Sequence, residues 1–237
     1  MTLENLPIQI KDILSQEKFS ESERRGLNLL TDSDLSVYSP GISTGGIAEL
    51  KMALGNKERI ITATSIDDKG IDGVVDIVRV AGLEDRIKIK KEDVSEPLPY
   101  VDESFDYIYA RLLLHYLPKD KLDASLKELH RVLKKGHKMF VVVRSLDDPE
   151  RTLPGATYDD KTSMTSYPFT KPDGSLDYSN MINRYFHSAG SITSHLKASG
   201  FEIEDILQHD ERLYQDFGRS MISPHTSNVV EVIAAKV

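Results

Sequence analysis

The sequence predicts a doubly wound α/β domain, and three observations lead to that expectation. Short β-branched and aromatic runs alternate with segments of helical periodicity from residue 35 onward, the pattern of a parallel sheet covered on both faces. A glycine-rich turn separates the first strand from the first of these helices. The last two strands have only residues 209–227 between them, too little for a regular crossover helix, so they are expected to pair antiparallel. With 237 residues the chain suits one domain, 1–237, in which 1–34 form an N-terminal helical cap and 145–183 an insertion or lid.

Each element rests on a local pattern. Residues 1–34 are polar and helical in character, with apolar positions at Ile10, Ile13 and Leu14 and again at Leu27, Leu29 and Leu30. Leu35–Ser39 reads as the first strand. Ile47, Leu50 and Leu54 then fall three and four apart and give the next helix an inward stripe. Arg59–Ser65 is β-branched and reads as a strand; Ile71, Val74, Val75 and Val78 form a second helical stripe, ended by Gly82. Strands come next at Arg86–Lys91 and Phe105–Ala110. Leu122, Leu126, Leu129 and Leu133 mark the clearest helix, with Gly136 as its expected C-cap, and Lys138–Arg144 is the strand behind it. Residues 145–183, rich in Pro, Gly, Ser, Thr and Asp, break the pattern, and so long a connection is usually functional. A helix at Ser191–Ala198 and strands at Phe201–Gln208 and Asn228–Lys236 close the chain.

Composition narrows the function. There is no cysteine, which excludes disulfides, thiolate nucleophiles and cysteine-bound zinc. The seven histidines show no metal-binding spacing, so no metal is expected. A net charge of −8 disfavours nucleic acid as a partner and favours a small or cationic one. No apolar run is long enough for a membrane span and no signal pattern opens the chain, so a cytoplasmic protein is the simplest expectation.

The chemistry is expected at the turn Ser39-Pro40-Gly41-Ile42-Ser43-Thr44-Gly45-Gly46, where a ligand could approach bare backbone at a helix N-terminus. Three functions compete for it. A dinucleotide site would want G-x-G-x-x-G, and here Ser43 stands at the second glycine. Gly41–Gly45 matches G-x-S-x-G literally, but a nucleophile elbow needs several strands before it and only one precedes Ser43. The third reading draws on segments further along the chain. Ser65-Ile66-Asp67-Asp68 comes after the second strand and Glu92-Asp93-Val94 after the third, while Leu98-Pro99-Tyr100-Val101-Asp102-Glu103-Ser104-Phe105-Asp106 leads into the fourth. Leu126-Lys127-Glu128-Leu129-His130-Arg131-Val132-Leu133-Lys134-Lys135-Gly136 precedes the fifth, and Ser199-Gly200-Phe201 the sixth.

This succession, across roughly residues 35–210, resembles the class I S-adenosylmethionine-dependent methyltransferases. The resemblance implies a Rossmann-like, seven-stranded, mostly parallel sheet with an antiparallel last strand. It also implies S-adenosylmethionine as cofactor and methyl transfer to a small-molecule acceptor. Carried onto this chain, it has Gly41, Ser43 and Gly45 approach the cofactor's amino acid part, with the hydroxyls of Ser39, Ser43 and Thr44 as a polar cradle. Asp67 is expected at the ribose, Ile66 on an adenine face, Asp93 with Val94 at the adenine edge, and Arg111 near the methionine end. His115 is the first candidate for a general base and His187 the second.

The chain departs from the family's D/E-x-G-x-G-x-G loop, with Ser39 in place of the acid and Ser43 in place of the middle glycine. That departure motivates the alternative of a non-catalytic, ligand- or protein-binding module on the same fold. Plainer readings stand beside these: the glycines as a tight turn, Asp67 or Asp68 as an N-cap, Asp93 as a solvated strand end. Tyr158, Tyr167, Arg184, Tyr185 and His187 either line an acceptor pocket or pack the insertion. The segment 211–219 either covers the site or mediates self-association, which leaves a homodimer open. The resemblance predicts that Asp93→Ala weakens cofactor binding markedly; calorimetric titration with S-adenosylmethionine checks it, and unchanged affinity counts against the assignment.

Overall fold

The computed structural model describes residues 10–11, 20–42, 44–214, 222–223 and 225–237. Ile13, Leu14 and Ser43 lie outside the described residues, as does most of the segment 211–219. The elements run α1 (Glu21–Asn28), β1 (Ser36–Pro40), α2 (Ile47–Gly55), β2 (Ile60–Ser65), α3 (Asp68–Val80), β3 (Ile87–Lys91) and β4 (Phe105–Arg111). They continue with α4 (Lys119–Val132), β5 (Leu133–Arg144), β6 (Thr157–Asp159), β7 (Met164–Thr170), β8 (Leu176–Arg184), α5 (Ala189–Ala198), β9 (Glu202–Glu211) and β10 (Ser227–Ala235).

Seven strands form one sheet in the order β3-β2-β1-β4-β5-β10-β9. Strands β1 to β5 pair parallel, and β10 runs antiparallel between β5 and β9. The central strands are buried on both faces, so alternate residues enter different cores. On one face Tyr38, Ile108, Ala110, Met139, Val141 and Val143 pack with Leu122, Leu126 and Leu129 of α4 and Ile192 and Leu196 of α5. On the other Val37, Tyr107, Tyr109, Phe140 and Val142 pack with Leu50 of α2 and Val74 and Val78 of α3. The order reverses between β1 and β4, because β1 leads to α2 on the second face while β4 leads to α4 on the first. Among the described residues no helix is long and apolar enough to cross a membrane.

Two expectations change. The helix with the Leu122–Leu133 stripe ends at Val132, and Leu133 already pairs with Phe105 as the first residue of β5. Gly136 is therefore not a C-cap; it lies inside β5 with φ 79°, and its N–H donates to Lys236 O. Apolar pattern alone could not separate a helix end from a strand start at Leu133. Residues 145–183 are not an irregular connection either. After a short 3-10 turn (Pro149–Thr152) they form a three-stranded antiparallel sheet, β6-β7-β8, with an irregular register at Pro168, which has no N–H for the ladder.

This small sheet is fastened at the carboxyl edge of the large one. His187 N–H donates to Arg144 O and Leu146 N–H to His187 O, so the insertion leaves and returns at one place. Tyr185 N–H donates to His115 O at 2.7 Å.

Helix α1 lies against the second face. Gly26 accepts a 2.7 Å bond from the Tyr107 hydroxyl, and its backbone rests on the rings of Tyr109 and Phe140. A Cβ there would stand 2.5–2.6 Å from Phe140 and Tyr109 atoms. Gly26→Ala is expected to destabilise the fold by about 1–3 kcal/mol through overpacking, against the usual gain for Gly→Ala in a helix; denaturant melts check the sign.

Candidate functional site

The strand reversal opens a cleft of about 430 Å³ at the carboxyl edge of the sheet. Gly41 and Ile42 border it from the exit of β1, Ser65 and Asp67 from β2, and Arg111, Leu112 and Leu113 from β4. The insertion side supplies His115, Tyr116, Arg144 and Arg184, and α1 supplies Glu23.

The β1 exit is shaped for close approach of backbone. Gly41 has φ 73°, a conformation L side chains rarely adopt, and a Cβ there would meet Leu113 at 2.9 Å. The N–H groups of Gly41 and Ile42 both donate to Thr64 O, which holds the turn against β2. Thr44 and Gly45 lie in the 3-10 turn leading into α2, and Gly45 is also left-handed. Gly45 does not border the cleft.

Ser39 is fully buried and donates to Glu49 Oε1 at 2.7 Å. A carboxylate thus comes to the β1 exit from α2, the element after the strand-end position where the sequence has serine. Asp67 has two attachments: it borders the cleft, and its Oδ2 accepts from Gly70 N–H at 3.2 Å as a cap for α3. Ile66 beside it is 66% exposed, an uncovered apolar face. Asp93 is exposed and accepts from Ser95 N–H, and Val94 is packed in the core; neither borders the cleft. The neighbouring Glu92 takes the hydroxyls of Tyr38 and Tyr100.

Arg111 is a tether. Its Nε donates to Ser22 Oγ at 2.7 Å, its Nη2 to Ser20 Oγ, and its guanidinium lies 3.5 Å from Glu211 and 3.9 Å from Glu23. Glu211 in turn accepts from the N–H and hydroxyl of Ser22. One buried cation therefore joins β4 to the start of α1 and the end of β9. Next to it Tyr109 borders the cleft, its Oη buried and without a hydrogen-bond partner among the described residues. Burial raises its pKa well above that of a free phenol, so it remains a donor.

His115 is 1% exposed, yet it borders the cleft. Arg144 N–H donates to its Nδ1 at 3.3 Å, so the neutral ring carries its proton on Nε2. Burial first, then the charges of Arg184 and Arg144, hold its pKa well below the usual value. It is thus a neutral ring at the cleft, with Nδ1 engaged by the Arg144 N–H and Nε2 as its donor. His187 does not border the cleft. It is fully buried, with its ring 4.0 Å from Tyr185 and Nδ1 3.4 Å from Ser191 Oγ, and burial brings its pKa down to about 3.

Sequence reading missed Glu23, Tyr109 and Arg144. Arg144 ends its strand at the carboxyl edge, a signal that could have marked it. Glu23 reaches the cleft only by docking of α1, which no local pattern announces.

A methyltransferase-domain model matches residues 39–141, from the end of β1 into β5. The chain is 24% identical over 185 residues to the 27-O-demethylrifamycin SV methyltransferase of Amycolatopsis mediterranei (strain S699), covering 67% of this chain and 65% of that protein. It is 43% identical over 60 residues to the sterol 4-C-methyltransferase strm-1 of Caenorhabditis elegans, covering 25% of this chain and 17% of that one. The chain thus spans less than two thirds of each of these curated relatives. Among solved structures, an S-adenosylmethionine-dependent methyltransferase from Methanosarcina mazei shares the fold, with TM-score 0.64, 20% identity, and coverage of 89% of this chain and 95% of that one.

The two buried histidines carry a pH prediction. Both have depressed native pKa values, so below about pH 6.5 protons bind the unfolded chain first and stability falls with pH. The expected slope is about 1.4 kcal/mol per pH unit for each histidine. His209 acts in the opposite sense: burial lowers its pKa, but the bond to Glu231 outweighs that and raises it, so the native state holds this proton more tightly. Denaturant melts between pH 7 and 5 check this, and a flat profile would contradict neutral burial.

Proposed function

We propose that the chain is a class I S-adenosylmethionine-dependent methyltransferase whose cleft binds S-adenosylmethionine and directs methyl transfer to a small-molecule acceptor. The observation that carries this reading is a coincidence of position. The segment matched by the methyltransferase-domain model contains the exits of β1, β2 and β4, and those exits border the cleft.

The residues present suit that cofactor. A side-chain-free turn at Gly41, an apolar flank of Ile42, Leu112 and Leu113, and a carboxylate at Asp67 match a ligand with an amino acid part, a sulfonium and a ribose. In this reading Gly41 and Gly45 keep the turn bare for the amino acid part, and Glu49, oriented by Ser39, supplies negative charge behind it. Asp67 accepts the ribose hydroxyls and exposed Ile66 covers one adenine face; Asp93, outside the cleft lining, meets the adenine edge where the ring extends past the cleft toward β3, with Val94 as its packed support. Arg111 acts indirectly, by holding α1 over the methionine end.

When bound, the sulfonium supplies an already electrophilic methyl group. What the chain adds is alignment of the acceptor and exclusion of water, both of which lower the barrier without a proton-transferring side chain. The insertion acts as a lid over the acceptor, with Tyr116 and Arg184 at its contact with the main domain. In this reading His115 faces the acceptor as a neutral ring that donates from Nε2. The composition, acidic and free of cysteine, supports a cytoplasmic setting and a small molecule over nucleic acid as acceptor.

The alternative, a binding module that performs no transfer, rests on Ser39 at the family's acidic position. The Glu49 carboxylate beside the Ser39 hydroxyl supports the enzyme reading instead. Calorimetry with S-adenosylmethionine decides first: absence of binding ends both the cofactor and the enzyme, and binding without turnover on any acceptor favours the module. Asp67→Asn keeps a good helix cap but removes the charge, so cofactor affinity should fall tenfold or more, about 1.5–3 kcal/mol for a charged hydrogen bond, with little change in stability.

A further inference from the structure

The acceptor end of the cleft is built around two arginines from distant parts of the chain. Arg144 ends β5 and Arg184 ends β8; their side chains are 3% and 15% exposed, and both border the cleft. They converge on one oxygen, Glu150 Oε2, which accepts from Arg144 Nη2, from Arg184 Nη1 at 2.7 Å and from the Tyr167 hydroxyl at 2.9 Å.

Three donors on a single oxygen leave other donors unmatched. Arg144 Nε and Nη1 and Arg184 Nε are buried with no hydrogen-bond acceptor among the described residues. Arg144 Nε lies 3.3 Å from Asp148 Oδ2, within ion-pair distance but without hydrogen-bond alignment. The Asp148 carboxylate already accepts the N–H groups of Glu150 and Asn228. Unmatched guanidinium N–H groups inside a protein are costly, and here they belong to two residues that border the cleft.

The charges around the cleft separate by place. Glu23 and Glu211 pair with Arg111, and Asp67 stands at the β2 exit. At the insertion side stand Arg144, Arg184 and neutral His115, with Glu150 shared between the arginines. Tyr116, 47% exposed, lies beneath Arg184 at 5.2 Å and accepts from its Nη2, which holds that guanidinium in place.

We infer that the acceptor carries an oxyanion, a carboxylate or a phosphate, seated against Arg144 and Arg184. This deepens the methyltransferase reading and rests on it for the word acceptor; the oxyanion site itself stands on the two arginines. The arginines' paired planar donors suit such a group, and a protonated His115 Nε2 adds a donor without repelling it. The chain's net charge of −8 favoured a cationic partner; the wall of the cleft selects the opposite sign.

The test titrates the whole protein, with and without saturating S-adenosylhomocysteine, with benzoate, phenyl phosphate and benzamide. Binding is followed by calorimetry and by the arginine Nε–H resonances. The anions should bind at least tenfold more tightly than benzamide and shift the Arg144 and Arg184 signals. Arg184→Gln should remove the preference and Arg184→Lys should restore part of it. The stronger of benzoate and phenyl phosphate tells carboxylate from phosphate.

Equal affinity for benzoate, phenyl phosphate and benzamide, or unmoved Arg144 and Arg184 signals in the folded wild-type protein, overturns the inference. If S-adenosylhomocysteine binds and the preference is absent, only the inference fails. If the preference is present and no cofactor binds, the oxyanion site stands and the methyltransferase reading falls. Should Arg184→Gln not fold, Tyr116→Phe, which frees Arg184 Nη2, must alter the anion affinity at least threefold, and no change overturns the inference.

Discussion

Strand order reverses between β1 and β4, and the shape of the molecule's working edge derives from that reversal. Both strands are buried on both faces, so the chain leaving each must turn to one face or the other. β1 turns toward α2 and β4 toward α4, on opposite sides of the sheet. The two exits diverge, and a crevice is left that no regular element fills. The bare turn at Gly41, the capping carboxylate of Asp67 and the tether at Arg111 all border that crevice.

The groups that enclose the crevice come from far away in the chain. Arg111 at the end of β4 is buried, and its burial is tolerable because Ser20, Ser22, Glu23 and Glu211 converge on it from α1 and β9. The insertion is held in the same manner, by Glu150 between Arg144 and Arg184 and by backbone bonds at His187. In both places a guanidinium serves as the joint, since its planar fork of donors can engage several partners at once. The difference lies in completeness: no buried donor of Arg111 is left unmatched, whereas Arg144 and Arg184 keep buried donors unmatched among the described residues.

Local electrostatics runs against the overall charge. The chain is acidic, yet the insertion-side wall of its cleft is formed by arginines and a histidine that burial and those arginines keep neutral. Net charge describes how a protein meets its surroundings at a distance, while a cleft is read by the few groups within hydrogen-bond reach. The displaced acid is a similar case. The strand-end position is serine, and the structure brings Glu49 to it from the next helix, so charge lost at one position returns from another.

The layered α/β architecture was legible along the chain. The β-branched and aromatic runs at Val37–Tyr38, Tyr107–Ala110 and Met139–Val143, helical spacing in Leu122–Leu129, and the glycine turn after β1 are relations between near neighbours, carried by residue type alone. Residue order also marked Gly41, Asp67, Arg111 and His115, because strand exits of a doubly wound sheet are where ligands meet the chain. The roles of those residues were set only by folding in three dimensions. Whether Arg111 faces a ligand or tethers α1, whether a histidine is a base or a neutral donor, and whether residues 145–183 wander or form a sheet depended on partners dozens of residues distant. Hydrogen bonding, burial and ion pairing act through space, and no pattern along the chain can supply the distance between Arg144 and Arg184.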